Sequence, residues 1–327
     1  MKKLFALLFC AALCGVMSLA ACASAGEPKV SFSENTGDRL RIITLSDNVN
    51  TGHTDVEAEF GLSVLIQKGD TQLLFDTGKG GKFVDNARKM NVDLNTVKSI
   101  LLSHAHYDHC GGLMRYLNEF GAEGRTLYIK DCFFEGAKDK CYDDAVGVKL
   151  DFTNGTPGYF GVGIDFTPEQ LTEKGLKINY LTENMMKIAD GITAYGSFTR
   201  VPLDPKMQVK VDDTHFWVDN FDEELAVAID TSKGLVIITG CSHTGVVNIV
   251  KEIQQRSGKN VYAVIGGYHL LDSTEKQIQD CINLFKKLGI KHLGLAHCIG
   301  PVARKMFLEQ LPELTYINSA GSVFEMK

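Results

Sequence analysis

Six of the nine histidines in this 327-residue chain stand at or just after stretches that read as strand ends: His104, His106, His109, His243, His269 and His297. A neutral imidazole is a good ligand for zinc and similar divalent ions. The densest cluster is Ser103-His104-Ala105-His106-Tyr107-Asp108-His109. Residues two apart on an extended chain project the same way, so His104 and His106 can grip one ion. After a turn, Asp108 and His109 can reach a second ion beside the first. Two-metal sites hold their ions about 3.5–4 Å apart, and an anionic oxygen helps neutralise the pair. Gly111-Gly112 then lets the chain turn tightly into a helix. A polar surface loop is not expected to carry three histidines and an aspartate in six residues directly after an apolar strand.

His104-x-His106-x-Asp108-His109 resembles the signature of the metallo-β-lactamase fold. Leu74-Phe75-Asp76-Thr77-Gly78 is similar to that family's upstream aspartate motif. Ile238 to His243 and Leu295 to Cys298 are similar to its later motifs. Gly-Cys-Ser-His at 240–243, Gly266-Gly267-Tyr268-His269 and His297-Cys298-Ile299-Gly300 resemble a narrower branch. That branch includes the dihydropterin ribofuranosyl-aminobenzene phosphate synthases.

The resemblance implies an α/β fold, a four-layer αβ/βα sandwich with metals at one edge of the sheets. It implies that His104 and His106 bind the first metal, and that Asp108 and His109 bind the second with His297. Asp76 would accept a hydrogen bond from a ligand imidazole and fix its tautomer, unless it is only a turn residue. Many members carry a lone histidine before this strand and a bridging aspartate at its end, where this chain has Cys241-Ser242-His243 and no clear lone histidine upstream. His243 is therefore expected to supply the missing ligand, and Cys241 either bridges or packs. His215 lies among Asp212, Asp213, Asp219 and Asp222 and reads as solvated. His269 is assigned to substrate binding or proton transfer, with a structural or ligating role as alternatives.

Short β runs open the chain: Leu40 to Leu45, Leu62 to Gln67 and Gln72 to Phe75. A helix from Phe83 to Lys89 and a strand from Val97 to Leu102 lead to the histidine cluster. Residues from about 131 to 200 read as an insertion with strands of its own, Ile178 to Leu181 and Ile192 to Tyr195. The second half alternates strands at 225–229, 235–239, 261–265 and 293–295 with helices at 245–256 and 302–311 and a third between the start signal Asp272-Ser273-Thr274-Glu275 and the stop at Gly289. Leu314 to Ile317 reads as the final strand. Strands alternating with helices predict sheets covered by helices.

The first residues are separate. Lys2-Lys3 precedes an uncharged apolar run from Leu4 to about Ala21, a secretory signal pattern. It ends in Leu19-Ala20-Ala21-Cys22, which resembles the bacterial lipobox. The expectation is a signal peptide over 1–21, lipid on Cys22, a tether over 22–36 and one hydrolase domain over 37–327. Cleavage after Ala25, or an uncleaved anchor, are the alternatives. The protein would then be exported and held on a membrane surface. Losing Lys2 and Lys3 leaves 32 basic against 40 acidic residues, a net −8. No basic stripe is present, which argues against nucleic acid as a partner. Cys132 and Cys141 could pair in an oxidising compartment or stay free thiols.

The expected chemistry is metal-assisted hydrolysis of a small ester, phosphoester or lactone, with one or two zinc ions or else iron or manganese. A metal brings the pKa of bound water from about 15.7 towards about 7. Asp108 would orient the nucleophile, and His269 or Tyr268 would stabilise the anion or protonate the leaving group. An iron oxidoreductase on the same fold is one alternative. Its di-iron members carry glutamate in place of the second histidine, unlike His106. A non-catalytic binding lipoprotein is another.

Overall fold

Period-two alternation splits the side chains of the main strands between two cores. In Leu40–Ser46, Leu40 and Ile42 enter one apolar cluster, while Ile43 and Leu45 enter another. In Gly234–Thr239, Val236 and Ile238 share the first of these clusters, and Leu235 and Ile237 face a third. Strands with both faces apolar must be covered on both sides. In the computed structural model, which describes residues 39–326 apart from 54, 148, 149, 151 and 200–203, two seven-stranded sheets meet that need by packing face to face.

The first sheet runs Val323–Met326, Leu40–Ser46, Ser63–Lys68, Thr71–Phe75, Ser99–Leu101, Thr126–Lys130 and Lys177–Leu181 in spatial order. Its outer face is covered by helices Lys82–Lys89, Leu113–Phe120 and Pro168–Glu173. The second runs Thr315–Ile317, His292–Ala296, Val261–Gly267, Gly234–Thr239, Ala226–Thr231, Ile192–Tyr195 and Met185–Ala189. Helices Val246–Ser257, Glu275–Leu288 and Pro301–Gln310 cover its outer face. The result is the four-layer αβ/βα sandwich. Glu275–Leu288 follows its sequence signals: Thr274 and Gln277 form a reciprocal capping box, and Gly289 ends the helix in a left-handed conformation.

Two expectations need correction, and one open alternative is decided. Lys177–Leu181 and Ile192–Tyr195 do not form a sheet of their own; each joins one of the main sheets. The separate element is a four-stranded sheet of Phe216–Val218, Met207–Lys210, Lys140–Asp144 and Gly158–Gly161. It extends past residue 200, and its strands are too short and mixed for their alternation to stand out. Thr315–Ile317 is not the last strand, because Val323–Met326 pairs antiparallel with Leu40–Ser46 and closes the edge. Cys132 and Cys141 are free thiols. The leader, the tether and Cys22 lie outside the described residues.

Thr71–Phe75 and Ser99–Leu101 run parallel, as do Gly234–Thr239, Val261–Gly267 and His292–Ala296. Asp76, the histidine cluster, His243, His269 and His297 all follow the C-terminal ends of these strands. The two sheets therefore deliver them to one rim, the usual ligand-binding edge of α/β sheets. Gly111 and Gly112 dock the histidine loop on the Asp76–Gly80 turn. A Cβ on Gly111 would collide with the Lys79 and Tyr107 carbonyls, and one on Gly112 with the Thr77 carbonyl. Gly111→Ala should therefore cost about 3 kcal/mol in urea unfolding. Gly161→Ala, which meets open space without a positive φ, should leave the midpoint unchanged.

Candidate metal centre

Asp76 is fully buried and makes three short contacts. Its Oδ1 accepts the Ser103 backbone N–H at 2.7 Å, and its Oδ2 accepts the Ser103 hydroxyl at 2.7 Å. The same Oδ2 lies 2.6 Å from Nδ1 of His109. Ser103 Oγ is in turn 2.9 Å from Nδ1 of His104. A carboxylate can only accept here, so His109 donates from Nδ1. Ser103 spends its proton on Asp76 and accepts from His104 Nδ1. Both rings then carry their lone pair on Nε2, the tautomer a metal requires.

His104 and His106 lie on a bend, not an extended run, and their ring centroids are 4.6 Å apart. The ligand atoms of His104, His106 and His243 all lie within 4.8 Å of one another. Those of Asp108, His109 and His297 form a second trio by the same measure. Asp108 and His109 belong to a short helix, Tyr107–Cys110, that starts right after His106. Cys241 Sγ sits 3.1 Å from His109 Nε2 and joins separate clusters with His104 and His109, with His243 and His269, and with His297 and Cys298. The sulfur thus occupies the ground between the trios where the sequence left its role open.

Nε2 of His104 and of His243 is buried with no hydrogen-bond partner. A buried polar atom left unpaired costs about 1–3 kcal/mol. Two such lone pairs beside a third imidazole fit a cation, and the ligand set of imidazole, carboxylate and thiol fits zinc.

Electrostatics divide the trios. Burial, reinforced by neighbouring imidazoles and, at His104 and His106, by Lys140, pushes the pKa of His104, His106 and His243 well below 6.5. These rings stay neutral. Burial alone would also lower His297, but its Nε2 lies 3.0 Å from Asp108 Oδ2, which carries it up to about 9. Burial would raise Asp108, and His109 and His297 reverse that, leaving it below the ordinary carboxylate range. His269 is raised despite its burial because of Cys298.

Supports from outside the histidine motifs hold the ligands. Asp47 accepts the His297 N–H at 2.7 Å, and Asn48 Oδ1 lies 2.8 Å from His297 Nδ1. Burial holds the Asp47 carboxyl up at about 7. Glu224 accepts from the backbone N–H groups of His243 (2.7 Å) and Thr244 (2.8 Å), and Phe221 stacks on His243 at 3.8 Å. Lys140 of the small sheet pairs with Asp219 and Glu223, and Glu223 accepts from Ala105 N–H inside the histidine loop. None of these partners stood out in sequence. Glu223-Glu224 before an apolar strand reads as solvated, since burial of a carboxylate depends on what folds over it. Asp76, Phe221, Ser242, His269 and His297 have φ between 44° and 66°, five of the eight non-glycine residues with positive φ among those described. Such strain costs on the order of 1–3 kcal/mol per residue and collects where function fixes the backbone.

The trios open into a pocket of about 430 Å³. His106, Asp108, Cys241, His243, His269 and His297 line its floor, and Phe60, Tyr107, Tyr142 and Phe152 line its wall. Tyr268 is not there. It is buried behind the second sheet, where its hydroxyl donates to the Val264 carbonyl, so it has no part in the chemistry. His215 is exposed and paired with Asp212, away from the pocket.

This sandwich and rim are those of the metallo-beta-lactamase superfamily, whose family model matches residues 56–247, and the chain belongs to it. Over 300 residues it is 30% identical to 7,8-dihydropterin-6-methyl-4-(beta-D-ribofuranosyl)-aminobenzene-5'-phosphate synthase of Methanocaldococcus jannaschii, covering 88% of this chain and 97% of that one. An uncharacterized protein of the same organism, MJ0448, is 27% identical over 77% of this chain and 88% of its own. The crystal structure of Tm1679, a metal-dependent hydrolase of the beta-lactamase superfamily, superposes with a TM-score of 0.71 at 27% identity, covering 88% of this chain and 99% of that one.

The His297–Asp108 pair sets a pH test on chelated protein. His297 titrates near 6.5 when unfolded and near 9 when folded. Its contribution is therefore complete below pH 6.5 and lost as pH rises through 9. The melting temperature of chelated protein should fall between pH 6.5 and 9, and His297→Asn should reduce that slope. A zinc ion held by His297 would replace the proton, so zinc-loaded protein should lack this loss. Calorimetric titration in buffers of different ionisation enthalpy should register about one proton released per His297 engaged.

Proposed function

We propose that the chain is a metal-dependent hydrolase of a small ester, phosphoester or lactone. The observation that carries this reading is the pair of ligand trios, with two partnerless buried imidazole nitrogens, on the floor of an open pocket. His104, His106 and His243 would hold one divalent cation. Asp108, His109 and His297 would hold a second, with Cys241 Sγ as a shared or completing ligand. A cation bound there supplies Lewis acidity and a water that is nucleophilic near neutral pH. Zinc suits the ligand set; iron or manganese could replace it.

The protein's own groups divide the remaining work. Asp108 lines the pocket floor, so its carboxylate is placed to orient a nucleophile. His269 lines the same floor, and its raised pKa keeps a proton available for a leaving group. The aromatic wall limits water and favours a flat substrate. The name of the Methanocaldococcus relative supports a second reading, a synthase acting on a phosphorylated pterin-like molecule.

His104→Ala with His106→Ala should abolish zinc retention by elemental analysis. It should also bring turnover of aryl ester, phosphodiester and lactone probes down to the uncatalysed rate. Activity that survives complete chelation of the wild type would refute the hydrolytic reading. In cobalt-substituted protein, Cys241→Ser should remove a sulfur-to-metal charge-transfer band.

We also propose that Cys22 carries lipid and tethers the domain to a membrane outside the cytoplasm, in keeping with the leader pattern. Labelling with a fatty-acid analogue should mark the wild type and fail in Cys22→Ala. Labelling that persists in the variant would remove the anchor.

A further inference from the structure

We infer that Arg304 forms an anion subsite in the pocket, and that the substrate joins a flat aromatic or heteroaromatic body to a phosphate or carboxylate. The inference rests on the hydrolase reading only for where the reacting bond lies. The binding it asserts does not depend on turnover.

Arg304 lies in the first turn of Pro301–Gln310, and its side chain is half-buried at the pocket wall. Its Nε is buried and has no hydrogen-bond partner. An arginine is always charged, and a desolvated N–H without an acceptor is unfavourable unless a ligand provides one. Among the described residues lining the pocket, Arg304 is the only lysine or arginine. The lining carboxylates already have partners. Asp108 meets His297 at 3.0 Å, and Asp272 faces Lys206 at 3.9 Å. Asp47, buried under His297, attracts Arg304 at longer range, but its oxygens already accept from the backbone N–H groups of His297 and Val49. The planar guanidinium fork suits the bidentate geometry of phosphate and carboxylate.

The rest of the pocket describes the body of the ligand. Phe60 lies 5.3 Å from the His297 ring, 6.2 Å from Tyr107 and 6.1 Å from Phe152. Tyr142 packs edge-on to Phe152 at 5.3 Å. These rings line one wall that runs back to the metal trios, a surface suited to a flat ring system. A volume of about 430 Å³ accepts a bicyclic arene with one substituent.

The test is calorimetric binding to the full chain, zinc-loaded and chelated, with three probes that share one ring: naphthalene-1-phosphonate, 1-naphthoate and 1-naphthalenemethanol. In chelated protein no bound cation supplies the anion contact. There Arg304→Met should weaken the phosphonate about tenfold or more. Binding of the neutral alcohol should stay within about twofold, which also shows that the variant is folded. Arg304→Lys should recover part of the loss. A parallel loss for naphthoate extends the subsite to carboxylates, and its absence restricts it to phosphate-like groups. The inference falls if Arg304→Met binds the phosphonate as the wild type does, or if all three probes weaken equally. Anion binding intact without turnover would sink the hydrolase reading alone; turnover intact with Arg304-independent binding would sink this one alone.

Discussion

A single buried carboxylate orders both halves of the site. Asp76 contacts His109 directly and reaches His104 through the hydroxyl of Ser103. One imidazole from each trio is thereby locked in the same tautomer. The carboxylate tolerates full burial because it accepts three hydrogen bonds, one from the backbone of the strand that leads into the histidine loop. If its position failed, neither His104 nor His109 would be held in that tautomer.

The wider architecture exists to bring distant residues to that carboxylate. The candidate ligands span positions 104 to 297 and come from both sheets. They converge because each follows the carboxyl end of a strand whose two faces are buried. The rim residues accept left-handed backbone angles that a free loop would relax. The strain is held by buried carboxylates, Asp47 under His297 and Glu224 under the His243 turn.

Much of this was legible in the sequence because it follows local rules. Spacing in the His104–His109 stretch, the apolar runs, and the Thr274 and Gly289 signals are short-range features, and the strands and helices they mark appear within a few residues of expectation. Tyr268 failed because it sits one residue from His269, and the two side chains leave the backbone on opposite sides; which side holds the pocket is not written locally. Cys241 stayed ambiguous because packing and ligation make the same demand for a buried sulfur. Lys140, Glu223, Glu224 and Arg304 were missed because charged residues read as solvated until tertiary packing covers them. The small sheet escaped notice because its four short strands come from two separated stretches, 140–161 and 207–218.

That small sheet has a consequence of its own. Tyr142, Phe152, Val162 and Met207, from its strands and their connections, build the far side of the pocket, while every candidate ligand belongs to the sandwich. On the proposed reading, reactivity and selectivity would be carried by different pieces of one chain, joined at polar points such as the Lys140 cluster. Substitutions at Tyr142, Phe152, Val162 or Met207 would on that reading reshape the far wall and leave both ligand trios untouched.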